Sequence, residues 1–127
     1  MCRLRLQWSF VATASDRYRD ANWHTVTFHY DVQDLDILYV IFYLTDTDRN
    51  SGAHELITGS HDAKSMKFLL SSARRDDVSL RAHYKNGRAF QIIEGKAGSG
   101  FIEDTSCFHR ARIPVSAPRL ALQLRYS

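Results

Sequence analysis

The sequence predicts an all-β protein, a β-sandwich or jelly roll built from many short strands. Three observations support this prediction. Apolar and polar residues alternate near both ends of the chain, as they do in a strand with one buried face. A run of β-branched and aromatic residues, 37–44, has the length and composition of a strand that is buried on both faces. The other apolar segments are short and separated by turn residues, which favours several strands over a few helices.

The first part of the chain contains three of these predicted strands. Leucine, tryptophan and phenylalanine alternate with polar residues over 4–10, which predicts a half-buried strand. Residues 23–31 are rich in Thr, Val, Phe and Trp and predict a second strand. Within that strand, His29 and Asp31 share one face because side chains alternate with a period of two. The third predicted strand is the apolar run 37–44.

The second part begins with turn chemistry and returns to short strands. Residues 45–52 are dense in Asp, Asn, Ser and Gly, which is typical of a turn, and a short strand is expected at 55–57. The segments 66–70 and 78–84 fit either helical turns or strand fragments. The remaining predicted strands cover residues 90–93, 100–103, 109–113 and 119–126.

Length and composition indicate one globular domain over residues 1–127. The net charge of +3 is mild and the basic residues are scattered, so nothing favours nucleic-acid binding. No apolar stretch reaches the roughly 18 residues that span a bilayer, and the start of the chain lacks the apolar middle of a secretory signal. Cys2 and Cys107 have no CxxC spacing and are expected to be free thiols. We therefore expect a cytoplasmic protein with neither nucleic acid nor membrane as a partner.

The residues that carry chemistry are His29, Asp31 and His109. The first two stand two residues apart, which on a strand places their Cα atoms about 7 Å apart and lets both side chains converge on one ion. His109 would have to join them from another strand. Two imidazoles and one carboxylate hold one face of the iron in non-haem Fe(II) oxygenases and leave other positions open. The same donors also bind Zn²⁺, Ni²⁺ or Cu²⁺, so the residues predict the geometry of the site better than its metal.

A simpler interpretation of each of these residues stays open. An HxD tripeptide arises often by chance, and a chain with six histidines readily supplies another histidine downstream. Arg119 begins a strand that also contains Arg125, and an exposed arginine is the default at such a place. The other four histidines are interpreted as surface or structural residues: His24, His54, His61 and His83.

Three blocks of the sequence together resemble the phytanoyl-CoA dioxygenase-like branch of the Fe(II)/2-oxoglutarate-dependent oxygenases. The first block is FHYD, residues 28–31, with the HxD at the end of a strand. The second is YLTDTDRNSGAHELITGSH, residues 43–61, although Ala53 and Thr58 stand where the family usually has proline. The third is GKAGSGFIEDTSCFHRARIPVSAPRLALQLRY, residues 95–126, which is similar to the family's glycine turn, distal histidine and closing strand.

The resemblance implies a double-stranded β-helix, a jelly-roll barrel with iron at one end. It implies that His29, Asp31 and His109 are the Fe(II) ligands. It also implies that Arg119 binds the far carboxylate of 2-oxoglutarate, a role that suits the planar fork of a guanidinium. A hydroxyl group commonly assists this arginine; Thr27 and Tyr39 are the candidates, because Ala111 stands at the usual position. Halogenating relatives replace the carboxylate ligand with a small residue, so Asp31 favours hydroxylation.

The function implied is an Fe(II)- and 2-oxoglutarate-dependent dioxygenase that hydroxylates a small organic substrate with O₂ and releases succinate and CO₂. Two alternatives stay open. One is a truncated or degenerate jelly-roll domain that binds metal without turnover. The other is a cupin-like enzyme that uses no 2-oxoglutarate, against which Arg119 argues because such an enzyme needs no dicarboxylate clamp.

The sequence departs from this family at its start. Relatives carry an N-terminal helical layer outside the barrel, whereas this chain is expected to begin almost at the first barrel strand. If Arg119 faces inward, then Leu120, Leu122 and Leu124 face outward, where that layer would lie. We therefore expect an exposed apolar patch of several hundred Å², through which the protein could form a homo-oligomer.

Overall fold

The computed structural model describes residues 1–11, 22–32, 37–84 and 90–127. Nine strands and three short helices lie in these ranges, so the prediction of a mainly β protein is confirmed. The strands are β1 (Cys2–Ser9), β2 (Phe28–His29), β3 (Leu38–Tyr43), β4 (His54–Ile57), β5 (Arg74–Arg75), β6 (Phe90–Ile93), β7 (Gly100–Asp104), β8 (His109–Ala111) and β9 (Arg119–Tyr126). The helices are α1 (Trp23–Val26), α2 (Met66–Leu69) and α3 (Asp77–His83). None of these helices is long and apolar enough to cross a membrane.

The strands form two antiparallel sheets. The four-stranded sheet has the order β1-β9-β3-β7, and the five-stranded sheet has the order β5-β2-β8-β4-β6. In the first sheet β1 pairs with β9 along its whole length, from Cys2 opposite Tyr126 to Ser9 opposite Arg119. Successive strands therefore alternate between the sheets at both ends of the chain. This alternation brings β2 and β8, which are distant in sequence, side by side.

Two groups of apolar side chains stabilise the fold. The larger group lies between the outer face of the five-stranded sheet and the helices α2 and α3. Its buried members are Phe28, Tyr30, Ile57, Phe68, Leu80, Tyr84 and Phe108. The smaller group comes from the inward face of the four-stranded sheet and contains Ile41, Tyr43 and Ala121. Each large side chain that is fully buried in this way contributes about 1.5–3 kcal/mol relative to an exposed one.

The segment 23–31 is not the single strand that the sequence predicted. It begins with α1 and only then enters the two-residue strand β2. The helical turn forms because the carbonyl of Asn22 accepts hydrogen bonds from the backbone N–H of Thr25 and Val26 and from the Thr25 hydroxyl. Local hydrogen bonds to one carbonyl thus outweigh the β propensity of these residues.

The four-stranded sheet buries only its inward face. The predicted strands at 4–10 and 37–44 are confirmed as β1 and β3, but the expected burial of both is wrong. The apolar side chains of β1 point outward, and Leu6 is 62% exposed, whereas Ser9 on the opposite face is buried. In β3, Ile41 and Tyr43 are buried, but Phe42 is 36% exposed. The polar face of β1 is therefore the face that lines the interior.

Candidate metal centre

The two candidate histidine ligands lie directly opposite each other on neighbouring strands. His29 on β2 pairs with His109 on β8 in an antiparallel register. Residues paired in this way have Cβ atoms about 5 Å apart on the same face of the sheet. The centroids of the two imidazole rings are 4.4 Å apart. His109 is buried and His29 is half-buried, and both rings face the interior between the sheets.

Asp31 reaches the same place from the end of β2. Its backbone N–H donates a hydrogen bond to the carbonyl of Thr105, at 3.0 Å, and this bond fixes the chain just beyond the strand. One ligand atom from each of His29, Asp31 and His109 lies within 4.8 Å of the other two. The structure therefore brings together the three residues that the sequence singled out. Two imidazoles and one carboxylate are the donor set of a facial triad.

The two imidazole rings are held in the tautomer that can bind a metal. Nδ1 of His29 lies 2.8 Å from the carbonyl oxygen of Thr27, and Nδ1 of His109 lies 2.9 Å from that of Cys107. A carbonyl only accepts, so Nδ1 carries the proton in both rings. Each Nε2 then keeps its lone pair. In both cases the carbonyl belongs to the residue two positions earlier, so the local backbone orients the ring.

Burial keeps His29 neutral. Loss of hydration, and next the neighbouring His109, lower its pKa to about 4, although the Thr27 carbonyl and Asp31 act in the opposite direction. A neutral imidazole is the form that binds a metal, so at pH 7 no proton has to leave His29 first. This electrostatic state agrees with the tautomer that the Thr27 hydrogen bond selects.

The turn at residues 59–61 positions the distal histidine. The Ser60 side chain is fully buried, and its hydroxyl accepts a hydrogen bond of 2.8 Å from the backbone N–H of Phe108. Lys64 donates to the carbonyls of Ser60 and Ser106 and thereby ties the same turn to the segment before β8. Asp104 caps this segment by accepting from the N–H of Ser106. These interactions fix the chain immediately before His109.

Tyr39 lies at the metal end of the interior. Burial raises its pKa to about 12, helped by the charge of Asp31 and a hydrogen bond to the same carboxylate. Its phenol therefore stays protonated and holds Asp31. Thr27 contacts the site through its backbone carbonyl, which accepts the hydrogen bond from Nδ1 of His29. The sequence had considered both residues as helpers of Arg119, whereas the contacts described here place them beside the candidate ligands.

Arg119 is buried, with 3% of its surface exposed, on the inward face of β9. Its guanidinium donates to the carbonyl of Gly52 at 2.5 Å and to the hydroxyl of Ser9 at 3.2 Å. Burial raises the pKa of the Tyr43 phenol, and the charge of Arg119 partly offsets this rise. The same phenol accepts a hydrogen bond from the backbone N–H of His54. Arg119 is therefore not the exposed arginine of the simpler interpretation. The hydroxyl of Ser9, which the sequence did not single out, contacts its guanidinium.

Two buried residues beside the ligands were missed in the sequence. Glu103 is 3% exposed, and its carboxylate lies 2.8 Å from Nε2 of His54 and 3.4 Å from Nδ1 of His109. Burial alone would raise the pKa of Glu103, but the nearby imidazoles of His54 and His109 outweigh it and lower the pKa. The sequence offered one indication of this: Glu103 is two residues from Phe101 on β7, so the two side chains point to the same, inward face of the strand. The other three histidines, His24, His61 and His83, are exposed as expected.

A cavity of about 730 Å³ lies away from this site. It lies on the outer side of the five-stranded sheet, where Trp23, Arg75 and Arg110 line it. None of His29, Asp31 and His109 is among the described residues that line it. We place the chemistry in the interior because the donor atoms converge there.

No protein-family model matches this sequence, and no curated protein matches it either. Solved structures do match its fold. AviO1 from Streptomyces viridochromogenes Tue57 is 15% identical, with a TM-score of 0.62 over 99% of this chain and 48% of its own. The α-ketoglutarate-dependent carbocyclase SnoK of nogalamycin biosynthesis is 18% identical, with a TM-score of 0.63 over 97% and 47%. HygX from Streptomyces hygroscopicus, with nickel and 2-oxoglutarate bound, is 12% identical, with a TM-score of 0.58 over 98% and 56%.

The chain shares its fold with these three structures. At such identities the similarity extends to the fold alone. The chain also spans only about half the length of each of these proteins.

Proposed function

We propose that this chain contains the metal-binding core of an Fe(II)- and 2-oxoglutarate-dependent oxygenase. The observation that carries this proposal is the convergence of His29, Asp31 and His109, with ligand atoms within 4.8 Å and both Nε2 atoms unprotonated. This donor set suits Fe(II). The 2-oxoglutarate in HygX and the cofactor dependence of SnoK, which share the fold, support the same cofactors here.

We further propose that the two sheets form a double-stranded β-helix in a single domain. Strands β1 to β4 alternate between the sheets, and β6 to β9 return in the reverse order beside them. Each sheet thus combines strands from both halves of the chain, as a jelly roll does. This topology supports the phytanoyl-CoA dioxygenase-like resemblance of the sequence.

Arg119 is proposed to bind the far carboxylate of 2-oxoglutarate. It is buried on the inward face, where a planar guanidinium can bind a carboxylate with two parallel hydrogen bonds. Ser9, already bound to this guanidinium, would add a hydroxyl donor. His29, Asp31 and His109 would hold the metal, while Tyr39 keeps the Asp31 carboxylate in place. Bound Fe(II) would supply the activation of O₂ that oxidises a small organic substrate, with release of succinate and CO₂.

The second candidate is a metal-binding domain without turnover. It is favoured by the coverage of the solved structures, because about half of each lies outside the part that this chain matches. The two candidates share the metal centre and differ only in whether 2-oxoglutarate is consumed.

Succinate formation from 2-oxoglutarate separates these candidates. Protein loaded with Fe(II) without oxygen and then exposed to air should form succinate even without substrate. The His29→Ala variant should form none, whereas the His24→Ala variant, which changes an exposed histidine on α1, should match the wild type. Metal binding without any succinate would favour the second candidate, and equal succinate from His29→Ala would contradict both.

A further inference from the structure

Glu103 is a buried carboxylate that lies against two imidazole rings. It lies on the inward face of β7, opposite Tyr39 of β3, with 3% of its surface exposed. Its ion-pair partners among the described residues are the imidazoles of His54 and His109. Burying a carboxylate is unfavourable unless its partners are well aligned. Because its partners here are two imidazoles, one of them a candidate metal ligand, the role of Glu103 is to be sought at those rings.

The carboxylate of Glu103 spans two imidazole rings. Oε2 lies 2.8 Å from Nε2 of His54, and Oε1 lies 3.4 Å from Nδ1 of His109. The ring of His54 also stacks on that of His109, with centroids 5.5 Å apart and planes at 22°. Glu103 thus contacts His109 on the side of Nδ1 and His54 lies against the face of its ring, while Nε2 stays available for a metal.

A carboxylate in this position changes what the imidazole can do. It holds the proton on Nδ1, restricts rotation of the ring and makes Nε2 a better donor to a cation. Its negative charge also offsets the charge of a divalent ion in an interior where charges are weakly screened. The Cys107 carbonyl already fixes the tautomer of His109, so the charge and the ring orientation are what Glu103 adds.

We propose that Glu103 is a positioning residue of the metal centre, which raises the affinity of the His109 side for a divalent cation and is itself held by His54. This inference rests on the proposed function, because it takes His109 as a metal ligand. His54 braces both the carboxylate and the His109 ring and is the second positioning residue.

A second buried glutamate provides a matched control. Glu55 is 2% exposed on β4, one residue from His54, but it faces the opposite side of the sheet. There its carboxylate pairs with Arg110 and Arg112, both at 2.9 Å. The Glu55→Gln variant therefore removes a buried negative charge of the same kind without touching the candidate metal centre.

Binding of Co²⁺ tests the proposal without requiring activity. The dissociation constant is measured by competition with a chelator, and the visible d–d spectrum reports the coordination of the ion. Glu103→Gln should weaken Co²⁺ binding by about 10- to 100-fold and shift the spectrum. Glu55→Gln should keep both at wild-type values even if it unfolds at a lower temperature. Wild-type affinity and spectrum in Glu103→Gln would overturn the proposal.

A second variant covers the case in which Glu103→Gln does not fold. Glu103→Asp keeps the negative charge but moves it away from His109 by one methylene. It should therefore weaken Co²⁺ binding and shift the spectrum, but by less than Glu103→Gln, which removes the charge. Wild-type affinity and an unchanged spectrum in Glu103→Asp would overturn the proposal. Wild-type protein that binds no Co²⁺ would instead overturn the proposed function, and this inference with it.

Discussion

At the scale of single residues, the backbone itself prepares the two histidines for a metal. His29 and His109 each donate from Nδ1 to the carbonyl two positions earlier, Thr27 and Cys107. The same local arrangement occurs on β2 and at the start of β8, and antiparallel pairing then sets the rings side by side. The large separation of His29 and His109 in the sequence therefore has little effect on the geometry of the site, because the backbone next to each histidine orients its own ring.

The pKa of His29 predicts that the metal-free protein loses stability in mild acid. Its pKa is lowered from 6.5 to about 4, so between these values the unfolded chain binds a proton at His29 and the folded chain does not. The free energy of unfolding should therefore fall as the pH drops from 6.5 to 4, by at most about 3 kcal/mol from this group. Urea titrations of chelator-treated protein at several pH values measure the effect.

The His29→Gln variant isolates this contribution from that of other titrating groups. Its free energy of unfolding should depend less steeply on pH between 6.5 and 4 than that of the wild type. His24→Gln, which changes an exposed histidine, should keep the wild-type slope. Equal slopes in His29→Gln and the wild type would show that His29 does not titrate as described.

Arg119 leads to a prediction about 2-oxoglutarate affinity. Removing one partner of a buried charge pair costs about 2–5 kcal/mol, so Arg119→Ala should weaken 2-oxoglutarate binding by at least about 30-fold. Arg119→Lys should weaken it less, because the charge remains but the planar fork is lost. Calorimetric titration of the Ni²⁺-loaded protein measures both. Unchanged affinity in Arg119→Ala, with the same melting temperature as the wild type, would remove Arg119 from the proposed site.

At the scale of elements, the turn at residues 59–61 stabilises the segment before β8. The Ser60 hydroxyl is the acceptor for the buried N–H of Phe108, and Ser60→Ala would leave that N–H without this bond. The loss should lower the free energy of unfolding by about 1–3 kcal/mol. Ser72→Ala removes a similar bond to the N–H of Arg74 at an exposed position and should cost under about 0.5 kcal/mol. Equal costs in denaturant titrations would contradict this role.

The strands themselves could largely be predicted from the sequence, but their orientation could not. Alternation over 4–10 defines two faces of a strand without saying which one points inward. Here the interior holds Arg119 and the candidate metal ligands, so the polar face of β1, with Ser9, is the buried one. The usual expectation of apolar residues inside is reversed where an interior contains a polar site.

The candidate ligands could be predicted because they carry a recognisable spacing, whereas Glu103 and His54 could not. His29 and Asp31 form a local motif, and His109 and Arg119 follow in the order that the family resemblance implies. The role of Glu103 depends on the register of β7 against β3 and on how the two sheets face each other. No local pattern encodes that long-range geometry.

At the scale of the whole molecule, the four-stranded sheet exposes an apolar outer face. The face runs across all four strands, and its most exposed members are Leu4, Leu6 and Trp8 of β1, Leu38 of β3 and Ile102 of β7. Leu120, Leu122 and Leu124 of β9, which the sequence expected to face outward, are half-buried between these neighbours. A continuous apolar face of this kind is typical of a surface that another molecule covers.

We predict that this face makes the protein self-associate. Light scattering after size-exclusion chromatography should show a mass that rises with concentration, and the dye 1-anilinonaphthalene-8-sulfonate should bind. Leu6→Lys, at the centre of the β1 edge, should reduce both effects. Val78→Lys changes a single exposed apolar residue on α3, away from this face, and should leave both effects unchanged. A monomer at all concentrations that binds no dye would refute the prediction.

The most direct test of the central claim is the visible spectrum of the Fe(II)-loaded protein under anaerobic conditions, recorded while 2-oxoglutarate is added. If His29, Asp31 and His109 hold the iron and leave adjacent positions open, chelation of the keto acid should produce a weak, saturable charge-transfer band. The band should be absent in His109→Ala and present in His24→Ala. A wild-type protein that binds Fe(II) at no stoichiometric site, or that gives the same band after His109 is replaced, would contradict the account.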